Sequence, residues 1–368
     1  IYGSQGGNGV IEFTTKRGTR GKPQVAYTMN LKATYQPKGY DLLSGDDYTM
    51  LLKESYFNPQ QNDTKSQSIS EINYDPNFSE YEQYNNNTDW VDAVKQWGFL
   101  QKHYVSITGG GEKAAFRIGA GYDSEKGSII QQKMDRFSTR VALDYDISER
   151  IRVSTNFALT YTKYKRNYDD LLSIAMKKMP NMSIYEQDPV TGENTDRYYE
   201  MRQDASSVFD ETSGKVDNQR AYVNPVASAY LAQNNEKVYD LDPELVINYH
   251  LLGLDEDHWQ LNWRGNVHVH VINNYIDKFY PSELKTVAWN DNSVNTAFNQ
   301  STKSVEFNTK QTLTLIPAFT NKDHSFMMMG RFELTSGSSN GQSSDASGLP
   351  SGGIESPDAG GIITGISS

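Results

Sequence analysis

RFSTRVALDYDI, residues 136–147, alternates two kinds of side chain along its whole length. Phe137, Thr139, Val141, Leu143, Tyr145 and Ile147 share one parity. Arg136, Ser138, Arg140, Ala142, Asp144 and Asp146 share the other. Successive side chains of a strand point to opposite faces, so the pattern predicts a long two-faced β-strand. Strands of soluble domains usually run about 5–6 residues. A tilted strand that crosses a bilayer needs about 9–11.

The same pattern recurs. Val25, Tyr27, Met29, Leu31, Ala33 and Tyr35 form one apolar parity, and Ile151, Val153, Phe157, Leu159 and Tyr161 another. Tyr239, Leu241, Leu245, Ile247, Tyr249 and Leu251 repeat it, as do Trp259, Leu261, Trp263, Val267, Val269 and Val271. Weaker versions occupy 103–109, 115–123, 305–317 and 325–334. The expectation is about nine strands. Their connections alternate in length: 109–114, 147–150, 253–258 and 321–323 are short, 124–134 is intermediate, and 36–100, 165–236 and 273–303 are long. Outer-membrane barrels put short turns on the periplasmic rim and long loops outside. Loops of that length count against a compact soluble domain.

Composition fits. The mean hydropathy is -0.69, and no stretch approaches the roughly 20 apolar residues of a membrane helix. With no cysteine there is no disulfide framework or thiolate metal site. A net charge of -11 argues against a nucleic-acid partner. Twenty-four tyrosines suit interfacial girdles and loop stacking surfaces. The fold class expected is therefore all-β, a transmembrane antiparallel β-barrel, incomplete, with long extracellular loops. The Gly/Ser-rich stretch 335–368 reads as a tail with no closing strand, and the chain as a fragment lacking residues at both ends.

The opening IYGSQGGNGVIEFTTKRG resembles the end of the plug domain in TonB-dependent outer-membrane transporters of the SusC/RagA family. Gln5 and Gly7 depart from the usual Arg and Ala. NTDWVD (Asn87–Asp92), HYVSITGGGEKAAFRIGAGYDSEKGSI (His103–Ile129), RFSTRVALDYDI and VNPVASAY (Val223–Tyr230) are also similar to the family. The resemblance implies a plugged barrel of about 22 strands, with residues 1–20 the end of the plug and 21–368 the first part of the barrel wall. It implies TonB-dependent import of a large oligosaccharide or peptide across the outer membrane of a Gram-negative bacterium. The partners implied are a SusD-like lid lipoprotein, the lipid bilayer, and TonB through a segment N-terminal to Ile1. The rival readings are a passive porin or adhesin barrel and a soluble β-rich carbohydrate-binding or hydrolytic protein.

The plug motif is Tyr2, Gly3, Gly6, Asn8 and Gly9, followed by a strand over 10–15. Its glycines suit a tight turn with positive φ; the string lacks the GK[ST] of a phosphate loop. His268 and His270 have metal-ligand spacing but suggest no third ligand, so they read as polar lumen residues. Asp240, Asp242 and Glu244 put three carboxylates on one face, an acidic lumen wall rather than a calcium site. No cofactor is expected, calcium in the loops being the only ion the sequence suggests. No Ser-His-Asp motif is present and no carboxylate pair stands out, so the chain reads as no enzyme. Ser44 with Asp47 opens a helix over 44–56, and 169–178 is a second helix. Aromatics among amides and acids in the long loops are the expected substrate contacts: Tyr81, Tyr84, Trp90, Trp97, Tyr185, Tyr198, Tyr199 and Trp289. On strand faces, Leu143, Phe157, Leu261 and Val269 are expected to face lipid, and Arg140, Asn156, Asn262 and His268 the lumen. Trp259 and Trp263 are expected at the periplasmic foot of their strand.

Overall fold

A computed structural model describes the chain apart from residues 1–8, 10–15, 61–71, 73–74, 201–218, 220–221, 256, 286–290, 320–322, 351–355, 358–361 and 368. Period-two alternation becomes one antiparallel sheet. Its strands are β1 (Gly21–Thr34), β2 (Gly98–Gly110), β3 (Ala114–Lys126), β4 (Lys133–Asp146), β5 (Ile151–Lys165), β8 (Gln233–Leu252), β9 (Gln260–Tyr280), β10 (Thr296–Ile316), β11 (Met328–Ser347) and β12 (Ile362–Ser367). They pair in that linear order, each with its neighbour. A separate hairpin, β6 (Tyr185–Gln187) and β7 (Asn194–Tyr198), and the short helices α1 (Gly45–Gln60), α2 (Trp90–Val94), α3 (Leu171–Lys177) and α4 (Pro225–Leu231) lie in the long loops.

The sheet is apolar on the outside. Residues directly opposite in a ladder share a face, and one ladder row reads Tyr27, Val105, Ala120, Thr139, Leu159, Leu241, Val271 and Val305. Its neighbours of the same parity include Phe137, Leu143, Phe157, Val267 and Phe307, all left exposed. The opposite face buries Ser106, Ser154, Asn156 and Thr162. There Arg140 Nε donates to Asn156 Oδ1 at 2.8 Å and Asn266 Nδ2 to Glu244 Oε1 at 2.7 Å. Polar groups turned inward and apolar ones outward is the arrangement of a sheet with lipid outside and a wet lumen inside.

The apolar band runs diagonally across the ladder rows. On β1 it spans Val25 to Tyr35, from two residues below that row, towards the short-turn rim, to eight above it. On β10 it spans Val305 to Leu315, from the row itself to ten below. Both edges thus slip eight residues over the seven steps from β1 to β10. That is about 26 Å along the strands for about 34 Å across them. A band parallel to a membrane then requires strands tilted by about 38°, within the range of membrane barrels.

Three expectations are corrected. There are ten strands in the sheet, not nine, and the stretch expected to be a tail continues β11 to Ser347 and adds β12. The loop expected over 273–303 shrinks to 281–295, because β9 and β10 pair up to Tyr280 and Thr296. The reason is common to both. Above the apolar band, both faces of these strands meet water. Alternation then disappears from segments such as Asn273–Asn274 and Thr335–Ser347 while the backbone ladder continues.

The short connections hold close turns, and Gly253, at φ +56°, opens the one after β8. Trp259 follows that turn at the foot of β9 and is exposed. Before β1, Arg17 reaches Asp144 of β4 at 2.8 Å and Arg20 pairs with Asp146. Asp146 also takes Arg152 at 3.0 Å, and Asp144 accepts from Ser154 Oγ at 2.5 Å. The entering chain is thereby fastened to the short-turn rim. Among the plug-motif residues only Gly9 is described; its φ of +103° is the conformation a glycine permits. Tyr2, Gly3, Gly6, Asn8 and the strand over 10–15 lie outside the described residues.

Candidate ligand-binding loops

At the long-loop rim the segments before β2 and between β5 and β8 fold onto each other. Residues 86–88 and 180–182 bond backbone to backbone, Asn86 N–H to Asn181 C=O at 3.1 Å and Thr88 N–H to Pro180 C=O at 2.8 Å. Helices α2, α3 and α4 then turn apolar residues to a shared core, against which Tyr48 of α1 packs. Ser44 caps α1, its Oγ accepting from Asp47 N–H at 3.1 Å and donating to the Asp47 carboxylate at 2.7 Å. Asp89 caps α2 through Asp92 N–H, and Asp170 caps α3 through Ser173 N–H. Asn224 caps α4, where Pro225 at the first turn gives up no needed donor. Trp90, Val94, Leu171, Ala175, Met179, Met182 and Val226 meet in the core, with Ile129 and Ile130 contributed from the β3–β4 connection.

Two buried polar nodes tie this core. Asn224 is fully buried. Its Oδ1 accepts from Val226 and Ala227 N–H, and its Nδ2 donates to Ile184 C=O at 2.8 Å and Tyr199 C=O at 3.1 Å. Its own N–H donates to the Glu200 carboxylate at 2.9 Å. Lys178 is buried beside Glu200 and donates to Tyr222 C=O. Burial pushes the Lys178 ammonium down to about 8, against the pull of Glu200. Burial likewise pushes Glu200 up to about 7, against Lys178 and the Asn224 N–H. Nearby Asp169 is raised by burial too, while its bond from Ser228 Oγ works the other way.

The aromatic residues expected to touch substrate sort into three groups. Tyr84, Trp90 and Tyr199 are buried. Trp90 Nε1 donates to Met179 C=O at 2.8 Å, and Tyr199 OH donates to Tyr84 OH at 2.9 Å across edge-on rings. In this arrangement they hold the loops together. Trp97 is exposed but lies against Tyr35, ring centres 5.4 Å apart and tilted by 44°, at the outer edge of the lipid-side band. Phe99, Tyr122, Phe137 and the Tyr161–Tyr239 pair, 4.7 Å apart, are further aromatics on the outward parity of the sheet. Tyr185 and Tyr198 are half-buried and stack at 5.2 Å; Tyr81 is half-buried, and Trp289 lies outside the described residues. A cavity of about 550 Å³ elsewhere in these loops is bounded by Tyr40, Leu43, Tyr48, Trp90, Met176 and Gln219, and is not lined by Tyr81, Tyr185 or Tyr198.

In the sheet His268 and His270 stack and pair with Asp242 and Asp240, the latter at 2.9 Å. Glu244 is engaged by Asn266. Among the described residues no group of three or more His, Cys, Asp or Glu could hold a metal ion. Sequence reasoning missed Asn224, Tyr230, Lys178 and Glu200. The Asn-Pro pair ahead of VASAY was the available signal for the α4 cap. Nothing local marked a buried Lys–Glu pair 22 residues apart.

An outward-apolar, tilted antiparallel wall crowned by interlocked loops is the build of a segment of a transmembrane β-barrel. Within that class, the resemblance to the SusC/RagA TonB-dependent receptors holds. No family model matches the chain. The TonB-dependent receptor SusC of Bacteroides thetaiotaomicron is 26% identical over 254 residues, 68% of this chain and 23% of SusC. TonB-dependent receptor P3 of Formosa agariphila is 28% identical over 198 residues, 51% of this chain and 18% of the receptor. Solved structures of RagAB superpose with little sequence identity. The peptide transporter gives a TM-score of 0.65 at 14% identity, over 96% of this chain and 39% of that one. The importer in its closed-closed state gives 0.71 at 12%, over 98% and 40%. The chain thus spans about a fifth of the curated relatives' length. These relatives are named as receptors and transporters, not enzymes.

Proposed function

We propose that this chain supplies barrel wall and outer loops to an energised importer of the bacterial outer membrane. The observation that carries the reading is the pairing of an outward-apolar wall with long connections gathered on one rim and folded into a common core. A passive pore needs the wall but not an organised crown over its mouth. Residues 1–20 are read as the end of a plug and 21–368 as wall. The substrate is a large nutrient, an oligosaccharide or a peptide, met by loop aromatics such as Tyr185 and Tyr198. The partners are TonB, pulling on the plug from the periplasm, and a SusD-like surface lipoprotein over the loops. No resident cofactor is needed, since the driving force comes from the inner membrane.

The test is uptake of labelled oligosaccharides and peptides by cells carrying the full-length receptor, with and without TonB. Uptake that disappears without TonB is expected. Equal uptake in both strains overturns the importer reading in favour of a passive pore.

A further inference from the structure

The outward parity of the wall changes character at the upper edge of the apolar band. That edge runs from Tyr35, just after β1, to Val305 on β10. Within the band, no described outward position on β1 to β10 holds a lysine or an arginine. Just above it stand Lys126 on β3, Lys133 on β4, Lys163 and Lys165 on β5, Lys237 on β8 and Lys303 on β10. Each shares the parity of the outward residues of its own strand. The band edge falls diagonally across the ladder rows, and the lysines fall with it. All six lie within about three residues above the edge, or about 10 Å along a strand. They form a belt at one level of the tilted wall.

The belt is unfavourable on its own. Lys126 stands directly opposite Lys133, Lys133 opposite Lys165, and Lys163 opposite Lys237. Like charges opposed on a ladder repel. Among the described residues only Lys133 of the six meets a carboxylate, Asp135 at 2.8 Å. Lys165 Nζ donates to Gln131 Oε1 at 2.7 Å. The other outward acid near this level is Asp277 on β9. Composition does not supply the excess, since the chain carries a net charge of -11. Nor does the opposite rim repeat it. Its turns hold Glu112, Glu149, Asp255 and Asp257 beside Lys113 and Arg150.

We propose that this lysine belt binds the phosphate groups of a phosphorylated glycolipid in the outer leaflet around the barrel. The proposal rests on the reading of the wall as outer-membrane wall with its long loops outside. Lysine binds phosphate as a point charge, and its flexible stem lies along apolar surface while the ammonium reaches out. Phosphates set among Lys126, Lys133 and Lys165, and between Lys163 and Lys237, turn opposed charges into bridged ones. A soluble anion would supply the charge alone. The belt is continuous with the exposed Phe137 and Phe157 below it, so a ligand with phosphates above and acyl chains beneath meets both surfaces at once.

The experiment uses the full-length receptor in neutral detergent, with lipid binding read by native mass spectrometry. The probes are bisphosphorylated lipid A, the same lipid with its phosphates removed, and inorganic phosphate. Lys163→Gln and Lys165→Gln should each weaken lipid A binding about fivefold. Removing the phosphates from the lipid should erase the difference between variant and unchanged receptor. Lys163→Arg keeps the charge and should keep the binding, and Lys113→Gln on the opposite rim should not alter it. The glutamine variants should unfold no earlier in neutral detergent, since they relieve repulsion. Equal affinity for lipid A with and without phosphates, or full affinity in Lys163→Gln with Lys165→Gln, overturns the site and leaves the lysines as interfacial side chains. Inorganic phosphate that binds as tightly as lipid A overturns the lipid assignment in favour of a free anion. The wall reading is tested apart, by heat-modifiable folding into neutral bilayers. A receptor that folds there and ignores the phosphates loses this proposal alone; one that does not fold loses both.

Discussion

The wall and the crown solve the burial problem in opposite ways. The wall leaves Val25, Tyr27, Phe137 and Phe157 exposed and turns its serines, arginines and asparagines inward. Its solvent outside is hydrocarbon, and its backbone polar groups are satisfied strand to strand. The crown is built like a small soluble domain. Trp90, Leu171, Met179 and Met182 are enclosed, and helix caps and buried amides satisfy the polar groups. The wall needs only a pattern along each strand. The crown needs particular residues far apart in sequence to meet. Substitutions should therefore act on one region and leave the other intact, and that separation can be broken or sharpened experimentally.

The largest effect is expected at the Lys178–Glu200 pair. Lys178 and Glu200 attract each other across a buried site, and removing one takes that compensation from the other, at a cost bounded above by the roughly 3–5 kcal/mol of a broken buried ion pair. Lys178→Met should therefore loosen the crown, seen as faster amide exchange in α3 and α4. Lys178→Met with Glu200→Gln should cost far less, because neither side chain then leaves the other's charge unmatched. The pair also predicts opposite pH slopes. Glu200 is raised from 4.5 to about 7, so its contribution is full below its ordinary value and is lost as pH rises towards 7. Lys178 is lowered from 10.5 to about 8, so its contribution is full above 10.5 and is lost as pH falls towards 8. Crown protection should be weakest near pH 7–8 and recover on either side, while protection in the wall stays flat. A wall that follows the same curve would show the two regions to be one cooperative unit.

The second effect belongs to the wall. An arginine at the membrane midplane on the lipid side costs about 2–4 kcal/mol. Val269 shares the lipid-facing parity of Val271, whereas His268 pairs with Asp242 on the lumen side. Val269→Arg should lower the yield of folding into bilayers, measured by heat-modifiable gel mobility, and His268→Arg should do so much less. Equal damage from both would reverse the assignment of faces.

This difference also explains what was legible in the sequence. The wall was readable because one face meets lipid, which forces alternation onto residues such as Phe137 to Ile147. Legibility stopped where that force stopped. The outer halves of β9 to β11 are wet on both sides, so residues 335–347 looked like a tail although they pair with β10. In the crown, Ser44 with Asp47 announced α1, because a cap is a local device. The roles of the aromatics were not readable, because exposure depends on which loop lands on which. Trp90 and Tyr199 have the composition of a binding surface and the position of a core. Tyr230, which is exposed, sat in a string noted only as a resemblance.

The smallest expected effect lies where the entering chain meets the wall. Arg17 and Asp144 are 2.8 Å apart with the arginine side chain 39% exposed, and Arg20 meets Asp146 on the same rim. Pairs this open are worth only about 0.2–1 kcal/mol and are screened by salt. Neither wall nor crown should lose measurable stability in Arg17→Gln with Arg20→Gln. The contacts are with two carboxylates two residues apart on β4, however, and they fix where the chain leaves the lumen wall to begin β1. Their removal should free the segment 16–20 locally. A spin label at Thr19, whose N–H otherwise donates to Thr108 Oγ1 at 3.2 Å, should then gain mobility. The same gain should appear in the unchanged protein as salt is raised from about 0.05 to 1 M, where the Debye length falls to about 3 Å. A label that stays fixed in the double variant would mean that the packing of Gly18 against the Phe116 backbone, not the two ion pairs, holds the entry.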